Sequence, residues 1–370
     1  MSVRDRVGSV FKGKEELDLT GGSIPRSLFF LSLPIIVTNM LQVGYNLADT
    51  FWLGRFSTDA LAAISLGFPL VYLFISLGLG LTVAGSVLVA QHTGADQPGE
   101  AEYAASQTVV FTVVAGLVVG GVGFVFIDEL LQVFSAEPGV LTLATEYMRI
   151  ITAGLPFLFG FMVFVALMGG AGDTVTPVVV MFGTVVLNVA LDPVLIFGWG
   201  PFPRMGIEGA GIATVFSRGS AMVVGVWIML RGAHGIRINP RDMWPDPAYI
   251  RRLLRIGAPA SVENTGRAIS VNAVLLIVTL FSTPVVAGFG VGIRVFSMIF
   301  MPAIAIDRGV ETMTGQNIGA GKLDRVSKTN RFAAKASFLL LASLGVLTFV
   351  FAPDIIRVFD NTPAVVSEGA

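Results

Sequence analysis

The chain of 370 residues contains no cysteine. Disulfides, thiolate metal sites and cysteine nucleophiles are therefore excluded. Charge is also scarce. Only 13% of residues are charged, about half of the roughly 25% usual in soluble domains. The net charge is −1, so no basic surface argues for nucleic acid. The polar first 25 residues lack the apolar core of a signal peptide, so nothing is expected to be cleaved and the first span is its own insertion signal.

What the chain does have is apolar length. It is 54% hydrophobic and holds 43 glycines, in stretches long enough to cross about 30 Å of hydrocarbon as helices of roughly 20 residues. This predicts an all-α membrane protein. Nine spans are expected, at about 26–54, 60–90, 101–127, 140–168, 174–198, 207–231, 251–281, 284–314 and 326–352. Sixteen arginines and lysines fall on the side that includes Arg4, Arg26, Arg251 and Lys322, and four (Arg55, Arg149, Arg204 and Arg357) on the other. The excess of positive charge puts the N-terminus in the cytoplasm of a multi-pass plasma-membrane protein.

An internal repeat appears when the sequence is shifted by 225 positions. "LPIIVTN" (33–39) meets "APASVEN" (258–264), and "FST" (56–58) meets "FST" (281–283). "QHTGA" (91–95) meets "QNIGA" (316–320), and "ELLQVFSAEPGV" (129–140) meets "DIIRVFDNTPAV" (354–365). An even number of spans per unit keeps both copies in one orientation, the parallel-repeat plan of many secondary transporters. The expected architecture is two six-helix lobes, the second incomplete. A cytoplasmic segment at 1–25 precedes an N-lobe at 26–231, a linker at 232–250 and a partial C-lobe at 251–370. The counterpart of Arg231 would be position 456, so the chain reads as truncated by about 85 residues. In the linker, Asp246 and Pro247 suit a helix N-cap and first position.

Carboxylates inside the spans need a reason, since each costs on the order of 2.5–3.5 kcal/mol near the bilayer centre. Asp49 interrupts an apolar run, and its repeat partner is Val274. The half-bundle therefore does not itself demand an acid there. Asn188 and Asp192 lie four apart on one helical face, and Pro193 beside them frees backbone carbonyls. Tyr147 is expected to join them. In the second half Asp307 and Glu311 are four apart, with Glu263 on the preceding span and Arg267, Arg294 and Arg308 nearby. These form either a neutralising network or a second site. Arg218 has no assignment. "GAGD" (170–173) fits the motif of intramembrane aspartyl proteases, but no Tyr-Asp dipeptide accompanies it. Asp173 instead suits a capped turn.

Four segments together carry a family resemblance. "DLTGGSIPRSLFFLSLPIIVTNMLQVGYNLADTFWLGR" (18–55), "GAGDTVTP" (170–177), "LNVALDPVLIFG" (187–198) and "GQNIGAGKLDR" (315–325) resemble the multidrug and toxic compound extrusion (MATE) family. The branch related to the DNA-damage-inducible protein is the most similar. The resemblance implies a twelve-helix exporter of organic cations or other lipophilic compounds, driven by H+ or Na+, with no enzyme activity and no cofactor. It implies cation coupling at Asp49, Asn188 and Asp192, with Tyr147 and Thr214 beside them and Na+ as an alternative occupant of Asp49 and Asp192. It also implies a seventh-helix acid at Glu263. Two departures stand out: Gly169 replaces an arginine common before the GAGDT turn, and Arg218 sits where the family is usually uncharged. A monomer in the lipid bilayer is expected. A lipid-linked oligosaccharide flippase of the same superfamily, and a non-transporting scaffold, are the alternatives.

Overall fold

The computed structural model describes residues 18–134, 137–232, 235–278, 280–359 and 362–370. Among these every regular element is a helix. The first half runs α1 (Ile24–Phe56), α2 (Thr58–Gly94), α3 (Pro98–Gln132), α4 (Pro138–Ala153), α5 (Leu155–Gly170), α6 (Val175–Phe197) and α7 (Ile207–Arg231). The second half runs α8 (Pro247–Val278), α9 (Thr283–Gly319), α10 (Leu323–Val350), α11 (Ala352–Phe359) and α12 (Pro363–Gly369).

Local chemistry sets the helix ends. Proline stands in the first turn of α1, α3, α4, α5 and α9, where a missing N–H leaves no bond unmade. The Ser57 hydroxyl accepts the Ala60 N–H at 3.0 Å and so starts α2. Asp173 accepts the amides of Val175 and Thr176 at 3.0 and 2.9 Å, so "GAGDT" is the capped turn expected of it. Asp246 accepts the Ala248 amide at 2.8 Å ahead of Pro247, as the linker sequence predicts.

Two expectations about spans need correction. The fourth is not one helix: α4 and α5 meet at Gly154 with a 52° bend. Pro156 cannot donate across the break, and a Cβ on Gly154 would run into Val215. Among the described residues seven helices are long and apolar enough to cross a membrane, or eight if the bent pair counts as one span. The seventh expected span, α8, is not among them, and Arg251, Arg252, Arg255, Glu263 and Arg267 lie along it.

The core fills the first half. One buried cluster gathers Phe161, Phe164, Leu167 and Met181, and another Leu53, Met148, Ile151, Leu155 and Phe159. α10, by contrast, buries only Thr329 and Ala333 and leaves Phe338, Leu339, Val346 and Phe349 exposed, a surface suited to hydrocarbon.

The halves interlock reciprocally: α2 packs on α8, and α9 packs on α1. The bounds of α2, Thr58–Gly94, recur 225 positions later as those of α9, Thr283–Gly319. At their ends the two helices touch backbone to backbone. A Cβ on Gly94 would strike the Gln316 carbonyl, and one on Gly319 would strike the Gln91 carbonyl. Adding 225 to Gln91 and Gly94 gives Gln316 and Gly319, so each contact is the other's image. The seam is extended by Thr312 Oγ1 donating to the Gly169 carbonyl at 3.1 Å, Gln316 Nε2 to that of Gly170 at 3.2 Å, and Asn317 Nδ2 to that of Leu19 at 3.1 Å. It closes one end of the space between the halves.

Candidate functional site

That space is a cavity of about 550 Å³. Its floor is the polar stripe of α1, Thr38, Gln42 and Asn46, spaced one helical turn apart. Phe68 and Tyr72 of α2, Phe161 of α5 and Met181 of α6 supply apolar wall. Arg308, Glu311 and Thr312 of α9 close it from the other half. A smaller pocket of about 80 Å³ continues from it, lined by Tyr45, Asp49, Tyr147, Thr214 and Arg218.

Asp49 is 5% exposed. Its Oδ2 accepts from Thr214 Oγ1 at 3.4 Å. Behind it, Asn188 Nδ2 donates to Asp192 Oδ1 at 3.3 Å, and both side chains are fully buried. Asp49 is close enough to Asp192 and Asn188 to interact with them electrostatically. Three oxygens of this cluster, Asp49 Oδ1, Asn188 Oδ1 and Asp192 Oδ2, find no donor. All three are pure acceptors. Buried acceptors in such number are exceptional, and a proton or a hard cation would satisfy them. Among the described residues no group of three or more His, Cys, Asp or Glu side chains could hold a metal ion, so an ion here would rely on the Asn188 amide as well.

All five residues of the first expected site, Asp49, Tyr147, Asn188, Asp192 and Thr214, thus come together. They are layered rather than equally accessible. Asp49, Tyr147 and Thr214 line the small pocket, whereas Asn188 and Asp192 are sealed behind them. The second expected site is not assembled. Glu263 and Asp307 are exposed, and only Glu311 lines the cavity, bonded to Arg308 at 3.0 Å.

The sequence reading passed over Gln42, Tyr45 and Asn46. Gln42 Nε2 donates to Asn46 Oδ1 at 3.0 Å, and Gln42 Oε1 accepts from Arg218 Nη2 at 2.5 Å. Their signal was the spacing Thr38, Gln42, Asn46, Asp49, which follows one face of an otherwise apolar helix. Gln107 was passed over too. Its Nε2 donates to the carbonyls of Asp242 and Trp244 at 2.6 and 2.7 Å, and its Oε1 accepts the Asp246 amide at 3.0 Å. One side chain pins the linker to α3.

The family profile MatE matches residues 34–194 and 259–370. The chain belongs to the MatE family. The two matched segments begin 225 residues apart. Among curated relatives, the probable multidrug resistance protein YoeA of Bacillus subtilis is 30% identical over 341 residues, covering 91% of this chain and 74% of that protein. The FAD transporter of Shewanella oneidensis is 28% identical over 352 residues, covering 95% and 78%. A solved outward-facing MATE multidrug resistance transporter of the MOP superfamily is 25% identical. It covers 97% of this chain and 79% of its own, with a TM-score of 0.85. This MatE chain is therefore a multi-pass membrane transporter and not an enzyme.

Proposed function

We propose that this MatE protein is a secondary antiporter of the plasma membrane, N-terminus inside, that exports drug-sized lipophilic compounds in exchange for inward H+ or Na+. The observation that carries this reading is the trio of donorless oxygens on Asp49, Asn188 and Asp192. Two carboxylates this near one another do not both stay ionised in a low-dielectric site without a shared counter-charge. Either a proton or Na+ answers that need, since carboxylate and amide oxygens suit both. Thr214 and Tyr147 hold the pocket wall through which the ion reaches the sealed pair.

Coupling follows from what the ion changes. Loading removes one of the two negative charges and lets α1 repack. Pro34 is its natural hinge, because it gives no N–H to the carbonyl of Phe30. The cavity lies along the same helix, so ion and cargo bias one element in opposite senses. With the seam of Gly94 and Gly319 on the cytoplasmic side, the conformation described here is open outward.

Organic cations are the cargo that the resemblance implies. The relatives' names cover multidrug resistance proteins and a FAD transporter, so similar chains differ in cargo, and the flippase reading gains no favour from them. The test is efflux of a dye panel of both charge signs from cells expressing the protein. Export should stop when an ionophore collapses the ion gradient and in the Asp49→Asn variant. Export that survives both would rule out coupling at this site.

A further inference from the structure

Arg218 is a guanidinium inside a membrane protein that, among the described residues, bonds to no acid. It is 8% exposed and lines both the cavity and the smaller pocket. Its hydrogen bonds go to neutral acceptors: Nη2 donates to Gln42 Oε1 at 2.5 Å, and Nη1 points at Met181 Sδ at 3.4 Å. Its Cζ lies over the rings of Tyr45 and Phe161, 4.5 and 5.3 Å from their centroids. Among the described residues no carboxylate comes within ion-pairing distance of it. Asp49 contributes to its field from farther away.

The lining of the main cavity contains three charged side chains, Arg218, Arg308 and Glu311. Glu311 is already answered by Arg308, so once the neighbouring Asp49 of the smaller pocket is neutralised by its own ion, one positive charge is left in surplus, located at Arg218. A cationic guest entering this space meets repulsion from a buried charge that water screens less than it would at the surface. It also finds the aromatic faces of Tyr45 and Phe161, which would otherwise attract it, already covered by the guanidinium. An anionic guest meets the reverse. A guanidinium presents five donors in a planar fork that matches carboxylate, sulfonate or phosphate, and a buried charge with no partner gains most from acquiring one.

We propose that the central cavity takes amphiphiles bearing an acidic group, with that group docked on Arg218 and the apolar body against Phe68, Tyr72 and Met162. This rests on the reading of the chain as an exporter and specifies its cargo, in place of the organic cations the family resemblance implies. The aromatic and aliphatic wall supplies the hydrophobic burial, and the arginine supplies the charge selection. Asp49 and Asp192 are left to the coupling ion.

The experiment uses two dyes on one xanthene framework, carboxyfluorescein (anionic) and rhodamine 6G (cationic). Binding to the purified full chain in nanodiscs is read by fluorescence anisotropy, and transport in proteoliposomes under an imposed ion gradient. Carboxyfluorescein should bind at least about tenfold more tightly than rhodamine 6G, the scale of one charge-assisted fork. Arg218→Gln should cancel that preference. Arg218→Lys, which keeps the charge but loses the fork, should fall between, and it serves if the glutamine variant does not fold. Rhodamine 6G bound as tightly as carboxyfluorescein, or a preference untouched by both substitutions, would overturn the assignment. Gradient-driven transport of rhodamine 6G alone would do so while leaving the exporter reading intact. Transport of neither dye, with anion-selective binding retained, would count against the exporter reading instead.

Discussion

Thr214 Oγ1 lies 3.4 Å from Asp49 Oδ2 and donates to that carboxylate across the α1–α7 interface. The two residues are 165 positions apart in sequence, and their meeting brings α7 to the Asp49, Asn188 and Asp192 cluster proposed to carry the ion. Thr214→Val keeps the shape and removes the hydroxyl, leaving the second Asp49 oxygen without its donor as well. Ion-driven export should fall about tenfold, the order expected when a buried acceptor loses its partner, while Thr214→Ser should retain most of it. Equal rates for the valine and serine variants would show the hydroxyl to be idle.

The linker offers a stability test away from the site. Gln107→Ala removes three hydrogen bonds that tie the linker to α3. Thermal unfolding in detergent should shift downward, by a loss of about 1–3 kcal/mol. An unchanged Tm would mean that the linker is held by other contacts.

Asp246 adds a pH signature there. The Tyr103 hydroxyl, donating at 2.8 Å, and then the Ala248 amide hold its carboxyl below the usual carboxylate range. A depressed folded-state pKa means that its contribution is complete above the ordinary value of about 3.9 and disappears as pH falls through the lower folded value. Protease resistance of the linker should therefore be flat from neutral pH down to about pH 5 and fall only in stronger acid. Loss of resistance between pH 6 and 8 would contradict this assignment.

The seam predicts which glycines control access. A side chain at Gly94 or Gly319 collides with the carbonyl of Gln316 or Gln91. Because the chain has no cysteine, Ser86→Cys gives a single label site on the cavity wall. Labelling from the seam side should rise in Gly94→Val and Gly319→Val and to a similar extent in both, as the reciprocal contact requires. A rise in one variant alone would break the equivalence of the two halves.

Much of this was legible in the sequence because membrane helices announce themselves by apolar length, and because a carboxylate in such a run is conspicuous. Asp49 and Asp192 stand out for that reason. The 225-residue offset was readable at prolines and turns, where local chemistry rather than packing fixes the residue, and the recurrence of the bounds of α2 in α9 has the same origin. The break at Gly154 was hidden because Pro156 looks the same in a bent span as at a helix start. Partnering across the fold was not legible at all. Arg218 could be seen to be buried, but only the fold sets Gln42, Tyr45 and Phe161 around it. Glu263, Asp307 and Glu311 look alike in sequence, yet only Glu311 reaches the cavity. Asp307→Asn should accordingly leave export within about twofold of the parent rate, as expected of an exposed surface change.

The central claim, that the Asp49, Asn188 and Asp192 cluster carries the coupling ion, is tested most directly by counting ions. Purified protein in weakly buffered detergent is titrated with a transported substrate while pH and free Na+ are followed. The account predicts release of about one H+ or one Na+ per substrate bound, abolished in both Asp49→Asn and Asp192→Asn while substrate still binds. Undiminished release in both variants would contradict it and would move the coupling site to Glu311.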